Sequence, residues 1–408
     1  VCSNLKRGCI FIIHISRPMQ ITSKLPSVGT TIFTTMSQLA LEHKAINLGQ
    51  GFPDFNPDPA LIEAVHQAML DGINQYPAMA GYPALRAAIA SKTQARYGRL
   101  YKVDTEITVT SGATEALMAS FQAFVHAGDE VVVIEPFYDL YIPAIELAGG
   151  IPVAVPMTAP SEAVPYYRVD WDRVEQAITS KTRMLVINFP HNPTCTILQP
   201  QDLDALEQIV EKHPSLIILS DEVYEHLTFD QKEHLSLATR PSLAERAVIV
   251  SSFGKTFHAT GWKVGYCCAP ASLSTEIRKV HQYTVFTVPS PLQAGLATYM
   301  QDPATWESLP AFYQEKRDHL HQGLQNTRFT PMPSEGTFFL LASYENISEV
   351  SELDFAKHLN QNYGVGAIPV SAFYLNPNSE QANHRLLRFC FAKQPNTLDQ
   401  AIERLKRV

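Results

Sequence analysis

Seven short apolar runs between residues 100 and 270 constrain the fold of this chain more than any other feature. They are ITVT (107–110), EVVVIEP (130–136), IPVAVPM (151–157), RMLVINFP (183–190), LIILSDE (216–222), AVIVSSF (247–253) and KVGYCCAP (263–270). Most are continuous rather than alternating, which is typical of strands covered on both faces. Because helix-like segments separate them, the pattern predicts an α/β architecture with a largely parallel sheet.

Several of these runs end in polar or small residues. The endings are Ser111-Gly112, Asn188, Ser220-Asp221 and Ser251-Ser252. Ligands of open α/β sheets bind beyond the carboxyl ends of the strands. We therefore expect the functional site at this edge of the sheet.

The regions on either side of these runs have other patterns. Before them, NPDPALIEAVHQAMLDG (56–72) predicts a helix that Asp58-Pro59 opens and Gly72 closes. Beyond residue 300, an α+β pattern predicts a second, smaller domain. Its segments are a helix over 303–326, TFFLLASY (337–344), a helix near 351–362, VGAIPVSAF (365–373) and HRLLRFCFA (384–392).

Length, charge and cysteine content exclude several classes of protein. The 408 residues allow two domains with a large core. A net charge of −8 without a basic cluster argues against nucleic acid as a partner, and no apolar run approaches the ~20 residues of a membrane-spanning helix. The six cysteines form no CxxC pair and no zinc-ligand spacing, so we expect reduced thiols, no metal and a cytoplasmic location. These cysteines are Cys2, Cys9, Cys195, Cys267, Cys268 and Cys390.

The first 22 residues differ from the rest of the chain. CIFIIHI (9–15) behind Lys6 and Arg7 has the outline of a signal peptide, but no small-residue cleavage site follows it. We expect residues 1–22 to be a disordered extension outside the fold.

One lysine stands in an unusual context. In VIVSSFGKTFHATGWKVGY (248–266), an apolar strand gives way to small residues before Lys255, and Lys263 follows eight residues later. A free lysine has a pKa of about 10.4, but a lysine desolvated beside a second cation loses its proton more easily and can form a Schiff base. The motif alone also allows a surface lysine in a glycine-rich loop.

A carboxylate and a phenol lie at the end of another strand. In LIILSDEVYEH (216–226), Asp221 comes where the apolar run ends, and Tyr224 follows three residues later. A buried carboxylate needs a cationic partner, which a protonated pyridine nitrogen provides, and Tyr224 can donate to a ring oxygen nearby. A helix N-cap is the alternative role of Asp221.

Two further motifs supply an amide and an anion site. NFPHNPT (188–194) fixes Asn192 in a proline-constrained turn, where its amide can donate to a phenolate. TVTSGATEALMAS (108–120) runs from a strand into a helix, so the backbone N–H groups of Ala113 and Thr114 form an anion site. Each motif alone is weak evidence. Together with Lys255, Asp221 and Tyr224 they match the requirements of pyridoxal 5′-phosphate.

From about residue 23 to its C-terminus the sequence resembles the class I/II aminotransferases of fold type I. The nearest branch contains the kynurenine/glutamine transaminases and the bacterial methionine aminotransferases. The matching motifs, in order, are INLGQGFPDF, NQYP, SGATEAL, EPFYDLY, PHNPT, SDEVYEH, SSFGKTFHATGWKVGY and LLRFCFAK.

The resemblance implies a fold and a domain organisation. It implies a large domain with a mostly parallel seven-stranded sheet in an α/β/α layering, and a smaller α+β domain. We expect residues 23–50 to pack with the small domain, residues 51–300 to form the large cofactor-binding domain, and residues 301–408 to form the small domain.

The resemblance also implies a role for each matching residue. Lys255 is expected to be the Schiff-base lysine and to carry the proton in the 1,3-shift. The cofactor ring is expected to pair with Asp221 at N1, to accept at O3′ from Tyr224 and Asn192, and to stack on Tyr138.

Five residues are expected to bind the cofactor's phosphate. These are Ala113, Thr114, Ser252, Lys263 and, from a second subunit of a homodimer, Tyr76. Most relatives have arginine in place of Lys263, but the kynurenine and methionine branches have lysine.

Arg388 is expected to bind the α-carboxylate of the amino-acid or 2-oxo-acid substrate, with help from Asn192 and the backbone of Gly51. A planar guanidinium suits a carboxylate, and a solvated arginine is not expected in so apolar a strand. One departure from the family is Cys195, which replaces the usual glycine and suggests a slightly different turn after Asn192.

The substrate preference is inferred from a missing cation and from aromatic residues. Transaminases of dicarboxylic acids need a second cation, and none is assignable here. Candidates for an apolar pocket are Phe52, Tyr101, Phe286, Phe338 and Phe339. Aromatic rings make good contacts with thioether sulfur, so we expect methionine or another bulky apolar or aromatic amino acid, or glutamine, as substrate.

Two groups of alternatives remain. Within the family, the chain could be a kynurenine/glutamine transaminase or a cysteine-S-conjugate β-lyase, which shares the first half of the mechanism. Outside catalysis, it could be a cofactor-binding regulator of transcription. That role needs a DNA-binding domain, and fewer than about 30 residues precede the expected fold, so we expect an enzyme.

Overall fold

The computed structural model describes Met19, residues 21–161 and residues 163–408. Most of the predicted extension 1–22 therefore lies outside the described residues. The α-helices are α1 (Ile32–Glu42), α2 (Pro59–Leu70), α3 (Pro83–Tyr97), α4 (Gly112–Phe124), α5 (Tyr141–Leu147), α6 (Trp171–Gln176), α7 (Pro200–Lys212), α8 (Pro241–Ala244), α9 (Phe253–Thr256), α10 (Ala271–Thr284), α11 (Ser290–Tyr299), α12 (Ala304–Glu307), α13 (Leu309–Gln325), α14 (Glu352–His358) and α15 (Pro395–Leu405).

The strands and the short helices of other types complete the set. The strands are β1 (Ile46–Asn47), β2 (Ile107–Thr110), β3 (Glu130–Glu135), β4 (Ile151–Pro156), β5 (Thr182–Asn188), β6 (Ile217–Asp221), β7 (Ala247–Ser252), β8 (Gly265–Cys268), β9 (Thr330–Pro331), β10 (Phe339–Ser343), β11 (Val365–Gly366), β12 (Ile368–Pro369) and β13 (Leu386–Cys390). The 3₁₀ helices are Leu237–Thr239, Thr260–Trp262, Val370–Phe373 and Glu380–Ala382, and Leu359–Tyr363 is a π-helix.

All seven apolar runs form strands of one sheet, which confirms the α/β prediction. Its order is β2-β8-β7-β6-β5-β3-β4, and β8 runs antiparallel to both of its neighbours. The other pairings, between β7, β6, β5, β3 and β4, are parallel. The carboxyl ends of β5, β6 and β7 therefore meet at one edge of the sheet.

Both faces of this sheet are buried, as the continuous apolar runs predict. Along β3, Val131 and Val133 belong to one hydrophobic cluster, whereas Val132 and Ile134 belong to another on the opposite face. Helices cover both clusters, so the architecture has α/β/α layers.

The helix predictions hold at α2 but not in full beyond residue 300. Asp58 caps α2, because its Oδ1 accepts from the N–H of Ala60 at 2.8 Å. The single helix predicted over 303–326 is wrong, since α12 ends at Glu307 and α13 begins at Leu309. Pro310 explains the break, because it has no N–H to donate to the Trp306 carbonyl one turn earlier and its ring would clash with that carbonyl, whereas a proline fits the first turn of a new helix.

The C-terminal part is α+β. β12, β13, β10 and β9 form a four-stranded antiparallel sheet, and β1 of the N-terminal segment pairs with β11 in parallel. The boundaries of the two domains, at residues 50 and 300, remain a prediction.

Two sequence expectations concern cysteines and membranes. Cys195, Cys267, Cys268 and Cys390 are free and buried, whereas Cys2 and Cys9 lie outside the described residues. Within the described part of the chain, no helix is both long enough and apolar enough to cross a membrane.

Candidate active site

A cavity of about 300 Å³ lies where the carboxyl ends of β5, β6 and β7 face β13 and the segment before α2. Its lining includes every residue predicted to contact the cofactor or the substrate carboxylate except Tyr76. These residues are Gly51, Ala113, Thr114, Tyr138, Asn192, Asp221, Tyr224, Ser252, Lys255, Lys263 and Arg388. The sequence motifs, which are far apart along the chain, thus converge on one site.

Lys255 lies in α9, the single turn that follows β7. Its Nζ donates to the backbone oxygen of Gly51 at 2.8 Å and lies 5.0 Å from the centre of the Phe338 ring. Burial lowers the pKa of the Lys255 amine to about 8, and the charge of Arg388 acts in the same direction. The amine can therefore gain and lose a proton near neutral pH.

Asp221 is a buried carboxylate at the end of β6, with 3% of its surface exposed. Its Oδ2 accepts from the Tyr141 hydroxyl at 2.7 Å, and its Oδ1 accepts from the N–H of Val223 at 3.4 Å. Burial raises the pKa of Asp221 to about 6, although the bond from Tyr141 opposes this shift. No helix begins at this described position, so Asp221 is not an N-cap.

Two tyrosines flank Asp221 in the lining. Tyr224 is buried, and its ring packs edge-on against Phe338 at 5.1 Å. The ring of Tyr138 lies edge-on to that of Tyr141 at 5.8 Å. Burial raises the pKa of both lining tyrosines, Tyr138 and Tyr224, so both hydroxyls keep their protons at neutral pH and can donate.

The turn between β2 and α4 has the geometry of an anion site. Gly112 begins α4 with φ +70°, and the N–H groups of Ala113 and Thr114 follow in the first turn, where a helix offers them no acceptor. The Nζ of Lys263 donates to Thr114 Oγ1 at 3.2 Å. A Cβ added at Gly265 would lie 2.7 Å from the backbone nitrogen of Ala113, so only glycine lets β8 approach this turn.

Arg388 is buried in the middle of β13, with 1% of its surface exposed. Its Nη1 donates to Asn192 Oδ1 at 2.5 Å, and its Nη2 donates to the Gly49 oxygen at 3.1 Å. Its guanidinium carbon lies 3.8 Å from the centre of the Phe339 ring. Within the described residues Nε of Arg388 is buried without a hydrogen-bond partner, and burial lowers the pKa of the guanidinium to about 10. The group therefore stays charged and retains donors for a ligand.

The aromatic candidates divide into two groups. Phe52 and Phe339 line the cavity, and Phe338 lies directly behind Lys255. The prediction for Tyr101 is wrong, because it is 1% exposed and packs in the main core against Arg99, outside the cavity.

Tyr76 and Phe286 lie outside the cavity of their own chain. Tyr76 is 82% exposed and Phe286 is 41% exposed, and their rings lie edge-on at 5.4 Å. The prediction that Phe286 lines the pocket is therefore wrong for the cavity of its own chain, whereas the role expected of Tyr76, which comes from a second subunit, stays a prediction.

Four of the site residues that sequence reasoning missed bear on its chemistry. Phe33 and Gln50 line the cavity. Asn188 also lines it, and its Nδ2 donates to the backbone oxygen of Asp221 at 2.8 Å. Tyr141 donates to the carboxylate of Asp221. Asn188 had a signal, since it ends an apolar run. Tyr141 stands within the motif EPFYDLY, but nothing in the sequence separates it from Tyr138.

The turn after Asn192 is built around Cys195. Cys195 has φ +62°, a left-handed conformation that glycine adopts without strain, and its thiol donates to the Pro193 oxygen at 3.3 Å. Burial raises the pKa of this thiol to about 12, so it stays protonated.

An α/β sheet whose carboxyl edge combines an amine, a buried carboxylate, an anion site and a buried arginine defines an enzyme that transfers amino groups. The family model of class I and II aminotransferases matches residues 43–405, and the chain belongs to this family. Enzymes of this family generally depend on pyridoxal phosphate.

Three relatives place the chain within the family. Methionine aminotransferase of Escherichia coli is 48% identical over 394 residues, which cover 96% of this chain and 100% of the relative. Its solved structure has a TM-score of 0.91 and the same coverage. The structure of N-succinyldiaminopimelate aminotransferase from Mycobacterium tuberculosis is 39% identical, with a TM-score of 0.90 over 95% of this chain and 100% of that one. Human kynurenine–oxoglutarate transaminase 1 is 34% identical over 94% of this chain and 97% of its own.

Replacing Tyr141 with phenylalanine should make stability more dependent on pH. The variant loses the bond to Asp221 Oδ2 but keeps the ring. A bond to a charged group contributes about 1.5–3 kcal/mol, and Asp221 is charged only above its pKa of about 6. We therefore expect the loss of Tm in cofactor-free protein to be larger at pH 8 than at pH 5. Tyr138→Phe is the matched control, and an equal loss at both pH values would show that the bond does not serve the ionised carboxylate.

Proposed function

We propose that the cavity binds pyridoxal 5′-phosphate and that the enzyme transfers the amino group between methionine, or another bulky apolar or aromatic amino acid, and a 2-oxo acid. The observation that carries the proposal is the position of Lys255. Its amine, with a pKa of about 8, shares one cavity with Asp221, the α4 turn and Arg388.

The residues present fit this cofactor at both of its ends. The first turn of α4 offers free N–H groups beside Lys263, which suits a phosphate, and the helix dipole adds to the attraction. At the other end, the buried carboxylate of Asp221 needs a cationic partner, which the pyridinium nitrogen of the cofactor provides.

Each residue then has one task. Asp221 would hold the proton on the ring nitrogen, Tyr224 and Asn192 would hydrogen-bond the ring oxygen O3′, and Tyr138 would stack on the ring. The phosphate would be held by Ala113, Thr114, Ser252 and Lys263, together with the Tyr76 hydroxyl of a second copy of the chain.

When bound, the cofactor supplies an aldehyde that carries the amino group and a ring that withdraws electrons from the substrate. The Lys255 amine is the group that would hold this aldehyde. Because the same amine lies in the cavity, it would also move the proton, which would make proton transfer intramolecular. A pKa of about 8 suits this task, because the group exchanges protons readily near neutral pH.

Arg388 binds the α-carboxylate that all substrates share. Two of its five donors serve Asn192 and Gly49, so others remain for the substrate, including the buried Nε. The bond to Asn192 and the stacking on Phe339 fix the plane of the guanidinium.

The rest of the lining favours an apolar substrate side chain. Phe33, Phe52 and Phe339 line the cavity, and aromatic rings make favourable contacts with a thioether. Among the described lining residues the cations are Lys255, Lys263 and Arg388, and the proposal gives each of them another partner. A substrate with a second carboxylate would therefore find no free cation among these described lining residues.

Other substrates of the family are competing assignments. The relatives named for kynurenine and for N-succinyldiaminopimelate are 34% and 40% identical, against 48% for the methionine enzyme. Glutamine transamination and cysteine-S-conjugate β-lysis are further candidates. A panel of these amino acids, with the 2-oxo acids formed followed for each, separates the assignments, and a preference for N-succinyldiaminopimelate or aspartate would contradict ours.

We also propose a homodimer with shared active sites. Tyr76 and Phe286 form an aromatic pair that this chain leaves exposed, which is unfavourable unless another surface covers it. The cytoplasmic location remains a prediction from the cysteine content.

Lys255→Ala should abolish transamination while the fold persists. The variant keeps the phosphate and ring contacts but lacks the amine, so the visible absorbance of the loaded protein should change and turnover should be lost. Lys279→Ala, on the exposed face of α10, is the control and should behave as wild type. If Lys255→Ala keeps both absorbance and activity, another amine carries the reaction.

The dimer should persist at concentrations at which the enzyme is assayed. Light scattering should give twice the chain mass of 45.4 kDa, and the cofactor should strengthen association because both subunits bind it. An active monomer at nanomolar concentration would contradict the shared site.

Arg388→Lys should lower kcat/KM for all amino acids by a similar factor. The charge remains but the fork of donors is lost, which suggests about 1.5–3 kcal/mol, or roughly ten- to a hundred-fold. Methionine should still outrank aspartate, because the aromatic lining and not Arg388 selects the side chain. The comparison is methionine against aspartate in both proteins. If only one substrate is affected, Arg388 does not bind the shared carboxylate.

A further inference from the structure

A buried histidine–glutamate pair lies behind the turn that begins α4. Glu115 is in the first turn of α4, and His281 is in the last turn of α10, fully buried. Glu115 Oε1 lies 2.5 Å from His281 Nδ1. Neither side chain lines the cavity, so neither touches the substrate or the cofactor.

The second oxygen of Glu115 holds the backbone of the turn. Glu115 Oε2 accepts from the N–H of Ser111 at 2.5 Å. Ser111 is the residue before Gly112, whose left-handed φ turns the chain into α4 and aims the N–H groups of Ala113 and Thr114 into the cavity. Fixing Ser111 therefore fixes the direction of those two donors.

The second nitrogen of His281 holds a different segment. His281 Nε2 lies 2.9 Å from the backbone oxygen of Met79, which can only accept, so this nitrogen carries a proton. Met79 belongs to the segment 75–82, which also carries Tyr76. Ser290 Oγ donates to the Gln75 oxygen at 2.5 Å, and the N–H of Tyr82 donates to Gln293 Oε1 at 2.7 Å, so the segment is anchored at both ends as well.

Both ring nitrogens of His281 therefore face oxygens, and the pair holds one proton between Nδ1 and Glu115 Oε1.

We propose that Glu115 and His281 are positioning residues that connect the phosphate turn of one subunit to the segment that carries its Tyr76 to the partner. The inference rests on the proposed function, since it assumes that the α4 turn and Tyr76 receive phosphate groups. The pair holds the donors of both sites in place, and its loss weakens phosphate binding without removing a phosphate contact.

Glu115→Ala and His281→Gln test the proposal through cofactor affinity. Glu115→Ala frees Ser111, so we expect the Kd for pyridoxal phosphate to rise on the order of ten-fold, the equivalent of one hydrogen bond. His281→Gln has one amide that can reach Glu115 or Met79 but not both, so a smaller rise is expected. With saturating cofactor, kcat should stay close to the wild-type value in both, because no group that touches substrate has changed.

Glu115→Gln should rescue affinity if hydrogen-bond geometry holds the turn. Its side-chain oxygen can accept from Ser111 while its amide donates to His281 Nδ1, and His281 then still donates from Nε2 to Met79. We expect a Kd within about three-fold of wild type, well below that of Glu115→Ala. If Glu115→Gln binds as weakly as Glu115→Ala, the inference is wrong. Should Glu115→Ala fail to fold, the comparison of Glu115→Gln with His281→Gln still tests the inference. The inference requires His281→Gln to bind pyridoxal phosphate more weakly than Glu115→Gln does.

Asp230→Ala is the matched control for lost stability. It removes an ion pair outside the site, in which Arg317 donates to both carboxylate oxygens of Asp230 at 2.7 Å. Neither residue lines the cavity. It should lower the Tm and leave the Kd unchanged. If wild type does not bind pyridoxal phosphate, the proposed function fails. If wild type binds it and Glu115→Ala and His281→Gln bind it equally well, only the positioning inference fails.

Discussion

The buried carboxylate of Asp221 is the constraint around which the site is arranged. Desolvation of a carboxylate costs several kcal/mol unless bonds or a cation offset it, and here two donors leave the pKa still raised to about 6. Asp221 ends β6, in the middle of a sheet that is buried on both faces, so neither the strand nor the carboxylate can shift toward water. A cationic ring nitrogen beside Asp221 would offset the remaining cost of desolvating the carboxylate. The ring nitrogen of the proposed cofactor is therefore confined to this position.

A continuous chain of hydrogen bonds joins Asp221 to Arg388, the arginine proposed to bind the substrate carboxylate. The backbone oxygen of Asp221 accepts from Asn188 Nδ2 at 2.8 Å. Asn188 Oδ1 accepts from the N–H of Asn192 at 3.0 Å, and Asn192 Oδ1 accepts from Arg388 at 2.5 Å. The first two residues end neighbouring strands of the large sheet, and Arg388 belongs to the four-stranded sheet. Two asparagine side chains, one at the end of β5 and one in the turn that follows it, therefore set the distance between the proposed ring site and the proposed carboxylate site.

The sequence predicts the large sheet and most of the site, because both follow from local signals. Continuous apolar runs indicate strands that are buried on both faces of a sheet. Polar residues at the ends of these runs indicate the edge of the sheet where the strands end. Which strand runs antiparallel is not encoded locally, and β8 reads like the others. Pro310 is a sequence signal for the break before Leu309, but the helical periodicity of the segment led to the prediction of one helix.

Side-chain partners across long separations could not be predicted. Tyr141 donates to Asp221 from 80 residues away, and Glu115 meets His281 from 166 residues away, so neither bond has a local pattern. Tyr101 shows the opposite error, since an aromatic residue near motifs of the site was assigned to the pocket although it belongs to the core. Aromatic composition indicates the character of a pocket, but only the packing decides which rings line it.

The balance of charge in the lining explains how such a site can select an apolar side chain. The described lining contains the cations Lys255, Lys263 and Arg388 but one carboxylate, Asp221, in a chain whose net charge is −8. An excess of positive charge in the cavity is unfavourable without anions, so binding of a phosphate and of one carboxylate would stabilise the protein. Once these two groups are bound, Lys263 and Arg388 have anionic partners, and the remaining lining includes the rings of Phe33, Phe52 and Phe339. A further carboxylate would lose its water against these rings without a compensating bond, whereas a thioether loses little water there. Selectivity for the side chain then arises from unequal desolvation, and it requires no contact specific to sulfur.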